Sequence, residues 1–244
     1  VRRPDDRPLP VFDYDPPAGD PEIIHLDETF VVVDKPAGLL AVPGITPDKQ
    51  DCVRARVAAM FPHASGPMTC HRLDLSTSGV MILALDARTH RNLSVQFEQR
   101  RTAKQYLALV EGHLRSDAGA INTPMRKDME RPPLMLVDYL EGKPSVTRFT
   151  VLAREQWDAR PATRVLLEPH TGRTHQLRIH AAHPRVATIG DPGPEHTPGL
   201  NAPIIGDDLY LGRPAPRLML HASVLTIHHP LTGKRMSFKA KDPF

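Results

Sequence analysis

Short apolar runs, each broken by turn-forming residues, follow one another along the chain. Residues 22–27 (EIIHLD) and 30–36 (FVVVDKP) are separated by Glu28-Thr29, which predicts a hairpin running into a turn at Pro36–Gly38. Residues 52–61 (CVRARVAAMF) set Val53, Val57 and Met60 at helical spacing, and the loop Pro62–Pro67 ends that helix. GVMILALD (79–86) has the length and β-branched content of a buried strand. Asp86 stands where it caps a helix over 87–99, with Leu93 and Phe97 on the inner face. KQYLALVEG (104–112) predicts another strand, closed by Gly112. Residues 113–145 are polar and turn-rich, with Pro132-Pro133 at the tip, and no element is assigned there. SVTRFTVLARE and TRVLLEP read as strands joined by a turn at Ala159–Ala162. His175–His183 fits a strand or a helix. The helix, starting near Thr174, is adopted because Leu177 and Ala181 then share a face. LMLHASVLTIH and KRMSFKA flank His229–Gly233 as a terminal hairpin. Strands outnumber helices without a regular βα alternation, so the expected class is α+β with a mixed sheet.

Composition changes this picture in two places. Of 244 residues 26 are Pro and 15 Gly. Six prolines fall in residues 1–21, and Pro184, Pro192, Pro194, Pro198 and Pro203 form a second patch. Such stretches are excluded from helix interiors and central strands, because proline lacks the backbone donor and fixes φ. What remains suffices for one or two domains. No apolar run reaches the length of a membrane-spanning helix, and the first residues lack the apolar region of a signal peptide. Cys52 and Cys70, eighteen apart and without a CxxC, read as reduced, packed thiols, and the chain as cytoplasmic.

Charge is unevenly spread. Residues 1–30 hold eight acids against three arginines, a net of −5, so the rest of the chain carries +8 within the overall +3. An excess of that sign suits a polyanion partner, though many basic domains bind no nucleic acid.

Four polar clusters interrupt the apolar runs. In the first, His71-Arg72-Leu73-Asp74 is followed by Ser76-Thr77-Ser78-Gly79. A carboxylate there suits a nucleophile or base at a cleft, while an isolated HRLD is also what a surface ion pair or turn cap looks like. Lys104-Gln105-Tyr106 opens a strand, where a Tyr is usually a core residue with a wet hydroxyl. Thr171–His180 (TGRTHQLRIH) packs donors densely enough to hold phosphate, or to form a solvated helix face. Pro203–Asp207 (PIIGD) is a turn with little intrinsic chemistry. Thirteen histidines raise the question of zinc, but His170, His175 and His180 recur at five, His180 and His183 lack a third ligand, and there is no H-E-x-x-H. No metal site is expected. Neither G-x-x-x-x-G-K-[ST], G-x-S-x-G nor G-x-G-x-x-G occurs, which demotes nucleotide hydrolysis, serine esterase chemistry and dinucleotide binding.

In order, FVVVDKPAGLLAVPG (30–44), HRLDLSTSGVMILAL (71–85), KQYLALVEG (104–112), GRTHQLRIH (172–180), PIIGD (203–207) and the closing MSFKA resemble the RluA-type pseudouridine synthases from about Glu22 to Phe244. HRLDxxTSG followed by GRTHQLR is the specific pair. The resemblance implies an α+β fold with a long mixed β-sheet, flanking helices and a central basic cleft. It implies isomerisation of a uridine in RNA without cofactor or metal, with Asp74 essential. It places Tyr106 on the face of the target base as acceptor of the C5 proton, and Arg173 as the ion-pair partner of Asp74. Arg72 is the matched candidate to fill the space of a flipped base. His71, Lys104, Arg178, Arg100 and Arg101 are expected to contact RNA, with Arg88 and Arg91 nearby. The similar stand-alone members act on stem-loops of transfer RNA, large-subunit ribosomal RNA or both. A monomer without a membrane partner is expected, and a separate S4 domain is not, since only about twenty residues precede the first matching strand. The expected organisation is an acidic, proline-rich tail over 1–21 and a catalytic domain over 22–244. Two features depart from the family: that tail, and an insertion at 185–200 that reads as a mobile surface loop rather than a cover for the cleft or an RNA contact. The contrasting possibility is an RNA-binding or RNA-folding module without catalysis, which the intact Asp74, Tyr106 and Arg173 argue against.

Overall fold

The computed structural model describes Leu9 and residues 13–244, so about half of the acidic segment expected over 1–21 lies outside the described residues. In chain order the strands and helices are β1 (Glu22–Leu26), β2 (Phe30–Lys35), α1 (Val53–Met60), β3 (Ser78–Ala84), α2 (Ala87–Glu98), β4 (Ala103–Glu111), β5 (Ala118–Asn122) and β6 (Met125–Lys127). They continue with β7 (Met135–Asp138), β8 (Val146–Trp157), β9 (Arg160–Pro169), α3 (Gln176–Ala182), β10 (Thr188–Ile189), β11 (Leu220–His228) and β12 (Arg235–Lys239). The chain forms two compact units, Phe12–Gln105 with His221–Phe244, and Tyr106–Leu220. It passes from one to the other within β4 and returns at the start of β11.

In the unit built from both chain ends, β1, β2 and β3 are antiparallel neighbours, β3 pairs β11 in parallel, and β12 pairs β11 antiparallel. This mixed sheet explains why β2 and β3 read as unbroken apolar runs: both faces are covered. Phe30 and Val32 of β2, with Ile82 and Ala84 opposite on β3, join Leu93 of α2, Leu225, Ile227 and Phe238 on one side. Val31 and Val33, with Leu83 and Met81 opposite, meet Val53 and Val57 of α1 on the other. Alternation along the strand thus sends successive residues into two separate cores. The Asp86 cap is as expected, its carboxylate accepting from Thr89 N at 2.9 Å; at the start of α1 the Cys52 thiol accepts from Ala55 N at 3.4 Å, a cap the sequence reading did not assign.

The Tyr106–Leu220 unit holds the antiparallel series β4-β9-β8-β5 and a smaller sheet of β6, β7 and β10. Ile179 and Ala182 of α3 pack with Met125, Met135, Val137 and Tyr210. Three findings differ from the sequence reading. Residues 113–145 contain β5, β6 and β7. The β8–β9 turn sits at Asp158-Ala159, both with positive φ, so Arg160–Ala162 already belong to β9. The insertion at 185–200 contains β10 and makes hydrogen bonds to residues outside it. Thr188 and Ile189 pair in parallel with Val137 and Asp138, Thr197 bridges Asn122, and Gly199 N donates to His183 Nδ1 at 3.1 Å.

Candidate active site

Asp74 lies on the loop entering β3, and the backbone at Asp74 and just after it is pinned. Its carbonyl accepts from Thr77 N at 3.1 Å, which closes a turn. The next carbonyl, that of Leu75, accepts from Gly38 N at 3.0 Å and from the Lys35 ammonium at 3.0 Å. Lys35 is fully buried, and its Nζ also donates to the carbonyls of Pro36 (2.9 Å) and Leu39 (2.6 Å). The ammonium has three donors, and a buried charge is tolerated when its donors are used. Leu73 anchors the loop into the interior, while Arg72 points outward and Asp74 stays half-buried. Beyond the turn, the Ser78 hydroxyl bonds His221 Nδ1 at 2.8 Å. Gly79 follows with φ +118°, and any Cβ there would collide with the backbone of Ala222 in the parallel strand β11. The TSG that follows HRLD is therefore a docking seam that sets where the loop ends.

The cations of the same unit divide by environment. His71 accepts from Ile82 N through Nε2 at 3.1 Å and stacks on Phe97 at 4.4 Å and 17°. Burial, with the Lys104 charge nearby, pushes its pKa down to about 3. At neutral pH the ring is uncharged, and it joins loop, strand and α2. Arg100 ends α2 with φ +55°, and Arg101 N returns to Gln96 O at 2.9 Å, the backbone pattern in which a left-handed residue closes a helix. Arg100 and Arg101 are exposed. Lys104 is half-buried, and burial together with the Arg100 charge lowers its pKa. Crowded cations of this kind favour an anion beside them.

In the other unit, one amide places Arg173. Gln176 is buried at the start of α3; its Oε1 accepts from Arg173 N (3.0 Å) and Thr171 Oγ1 (2.7 Å). Its Nε2 donates to Val146 O and Thr147 Oγ1, both at 3.0 Å, so all four hydrogen-bonding capacities of the side chain are in use. His175 takes φ +54°, and its Nδ1 meets the Tyr210 hydroxyl at 2.7 Å. The Arg173 guanidinium reaches the Pro144 carbonyl at 3.3 Å. Tyr106, half-buried, stands opposite Leu167 in the β4–β9 pairing.

Arg178 requires a correction. It is 3% exposed, and its guanidinium grips the Asp207 carboxylate through Nε (2.8 Å) and Nη2 (2.6 Å), with Tyr210 beneath it at 5.3 Å. Its charge is spent inside the protein, so the RNA contact expected of it is replaced by an internal ion pair. Asp207, dismissed with its turn, is the other half of that pair. It also accepts from Leu209 N and Tyr210 N at 3.0 Å. Lys35, Gln176 and Asp207 escaped sequence reasoning. The available signal was a lone charged or amide side chain inside an apolar or otherwise basic run. Among the described residues, no group of three or more His, Cys, Asp or Glu is placed to hold a metal, and no helix is long and apolar enough to cross a membrane.

The fold is α+β, with helices on both faces of a mixed sheet and the Asp74 loop tied to a buried lysine. The profile of the RNA pseudouridylate synthase family matches residues 29–183, and the chain belongs to that family. It is 41% identical over 242 residues to the Haemophilus influenzae "Dual-specificity RNA pseudouridine synthase RluA", covering 97% of this chain and all of the relative. To the protein of the same description from Escherichia coli (strain K12) it is 38% identical over 226 residues, covering 91% of this chain and 93% of the other. Among solved structures it is similar to "Human RNA Pseudouridylate Synthase Domain Containing 1", with a TM-score of 0.72, 30% identity, and coverage of 93% of this chain and 86% of that one. The protein is accordingly an RNA pseudouridine synthase, an isomerase.

Proposed function

We propose that this enzyme isomerises a specific uridine in a structured stem-loop, of the transfer RNA anticodon arm, of large-subunit ribosomal RNA, or of both. The observation that carries this reading is the full-length similarity to relatives described as dual-specificity enzymes. In the reaction the N1–C1′ bond breaks, the uracil turns, and a C5–C1′ bond forms; C5 gives up its proton and N1 takes one up. Atoms balance without an external reagent. Asp74 is the essential carboxylate. It acts as a nucleophile that adds and leaves again, or as a guide for the proton, and splitting a hard isomerisation into steps is what such a group supplies. Tyr106 lies against the base and receives the C5 proton. Arg173 keeps Asp74 ionised, a task suited to a guanidinium because it stays charged and binds a carboxylate with two donors. Arg72, Lys104, Arg100 and Arg101 hold phosphates around a basic cleft, and Arg72 stacks where the flipped base has left. The hydrogen-bonded carbonyls of Asp74 and Leu75 support this, since a reacting group must be held in place before the substrate arrives. The enzyme works as a monomer in the cytoplasm, where its RNA substrates are.

The test is release of tritium from C5-labelled uridine in transfer and ribosomal RNA. Asp74→Asn should abolish release while RNA affinity stays within about twofold, because binding rests on phosphate contacts. Label release that persists in this variant removes Asp74 from the chemistry.

A further inference from the structure

The segment 13–21, which the family resemblance leaves without a role, is tied to the loop that holds Asp74. The Tyr14 hydroxyl donates to the Asp51 carbonyl at 2.6 Å and accepts from Leu40 N at 3.1 Å. Leu40 is held at its other end too, since its carbonyl accepts from Val53 N at 2.8 Å. Arg56 of α1 clamps the Asp51 carboxylate through Nε (2.8 Å) and Nη2 (2.6 Å) and also donates to the Gly19 carbonyl, so the segment is fixed at two points five residues apart. Between them Pro17 lies against Gly38. The stretch 36–41 thus has the Tyr14 strap on one side. On its other side are the bonds already described, Leu39 O to Lys35 Nζ, then Lys35 Nζ and Gly38 N to Leu75 O, next to Asp74. Burial raises the Tyr14 pKa, which keeps the phenol protonated and able to donate throughout the neutral range.

We propose that Tyr14 is a positioning residue for catalysis. Its hydroxyl fixes the Leu39–Leu40 backbone, which sets the Lys35 and Gly38 grip on Leu75 and thereby the place of the Asp74 carboxylate. The assignment rests on Asp74 being the catalytic group. The acidic side chains of the same strap, Asp13 and Asp15, are exposed and take no part in this relay.

The full chain carrying Tyr14→Phe keeps the aromatic ring and deletes both hydrogen bonds. Single-turnover tritium release at saturating RNA, well below the unfolding temperature, should fall about tenfold, with the RNA Kd unchanged within about twofold. Asp13→Asn and Asp15→Asn should leave both quantities at wild-type values. A lowered Tm with an unchanged single-turnover rate overturns the proposal, because the strap then only stabilises. A loss confined to Kd also overturns it, because the strap is then an RNA contact. Asp74→Asn run in parallel separates the two readings. If it is inactive and Tyr14→Phe is fully active, the strap assignment alone fails; if it is active, the assignment of Asp74 fails and the strap proposal with it.

Discussion

Two arginines stand five apart in GRTHQLR and look alike in sequence, yet they have opposite fates. Arg173 sits on the turn held by Gln176, with its guanidinium at the surface beside Pro144. Arg178 is sealed inside, on a carboxylate from 29 residues further on. A buried ion pair contributes little net stability over an apolar pair, but removing one partner strands the other. Arg178→Met should therefore lower unfolding stability by about 3–5 kcal/mol, read from the urea midpoint at unchanged slope. A variant with wild-type stability would mean that Asp207 finds another partner. His71 makes the same point with a smaller residue: beside Arg72 in sequence, it is neutral and engaged with Ile82 and Phe97, while Arg72 is exposed. Nothing in the letters HR distinguishes a packed ring from an exposed side chain, because burial depends on residues remote in the chain.

Elements whose signals are local were readable. α2 begins at Asp86 and carries Leu93 inward, because an N-cap carboxylate and a 3.6-residue period act within a dozen residues. Asp86→Ala should remove about 1 kcal/mol and lower Tm by about 2–4 °C, measurable by calorimetry, with pseudouridine formation unchanged. β2 and β3 were recognised from their apolar runs, although only their register shows the two faces serving two cores. By contrast β6 has three residues and β7 four, too few for a period to show. β7 is completed by β10, two residues that arrive some fifty positions later. Such strands exist because of their partners rather than their own composition. The same reasoning explains the 185–200 insertion, whose proline and glycine content signals a loop but not its bonds to Val137, Asn122 and His183.

At the scale of the whole molecule, buried histidines link stability to pH. His180 lies in a closed chain in which Thr147 Oγ1 meets its Nδ1 at 2.9 Å, and its Nε2 meets Ser145 Oγ at 2.9 Å. Ser145 in turn donates to Thr123 O at 2.6 Å. Burial, with His183 nearby, holds the His180 pKa down at about 4 against an ordinary 6.5. Between those values the unfolded chain binds more protons than the folded one. This contribution is therefore complete above pH 6.5 and is lost as pH falls towards 4. It amounts to on the order of 3 kcal/mol. The slope of unfolding stability against pH in that window should flatten in His180→Asn, whatever its absolute stability; an unchanged slope would assign the titration elsewhere. Read alone, the sequence determined the α+β class, the hairpins and the Asp86-capped helix, and the order of clusters that marks the family, since each is written in neighbouring residues. The tertiary structure alone decided which polar side chains are spent inside: Lys35 on Leu75 across 40 residues, Arg178 on Asp207, and Gln176 on both Arg173 and the start of β8. The reason is physical. Whether a polar side chain is buried, and what repays its lost water, is set by groups that folding brings from far along the chain.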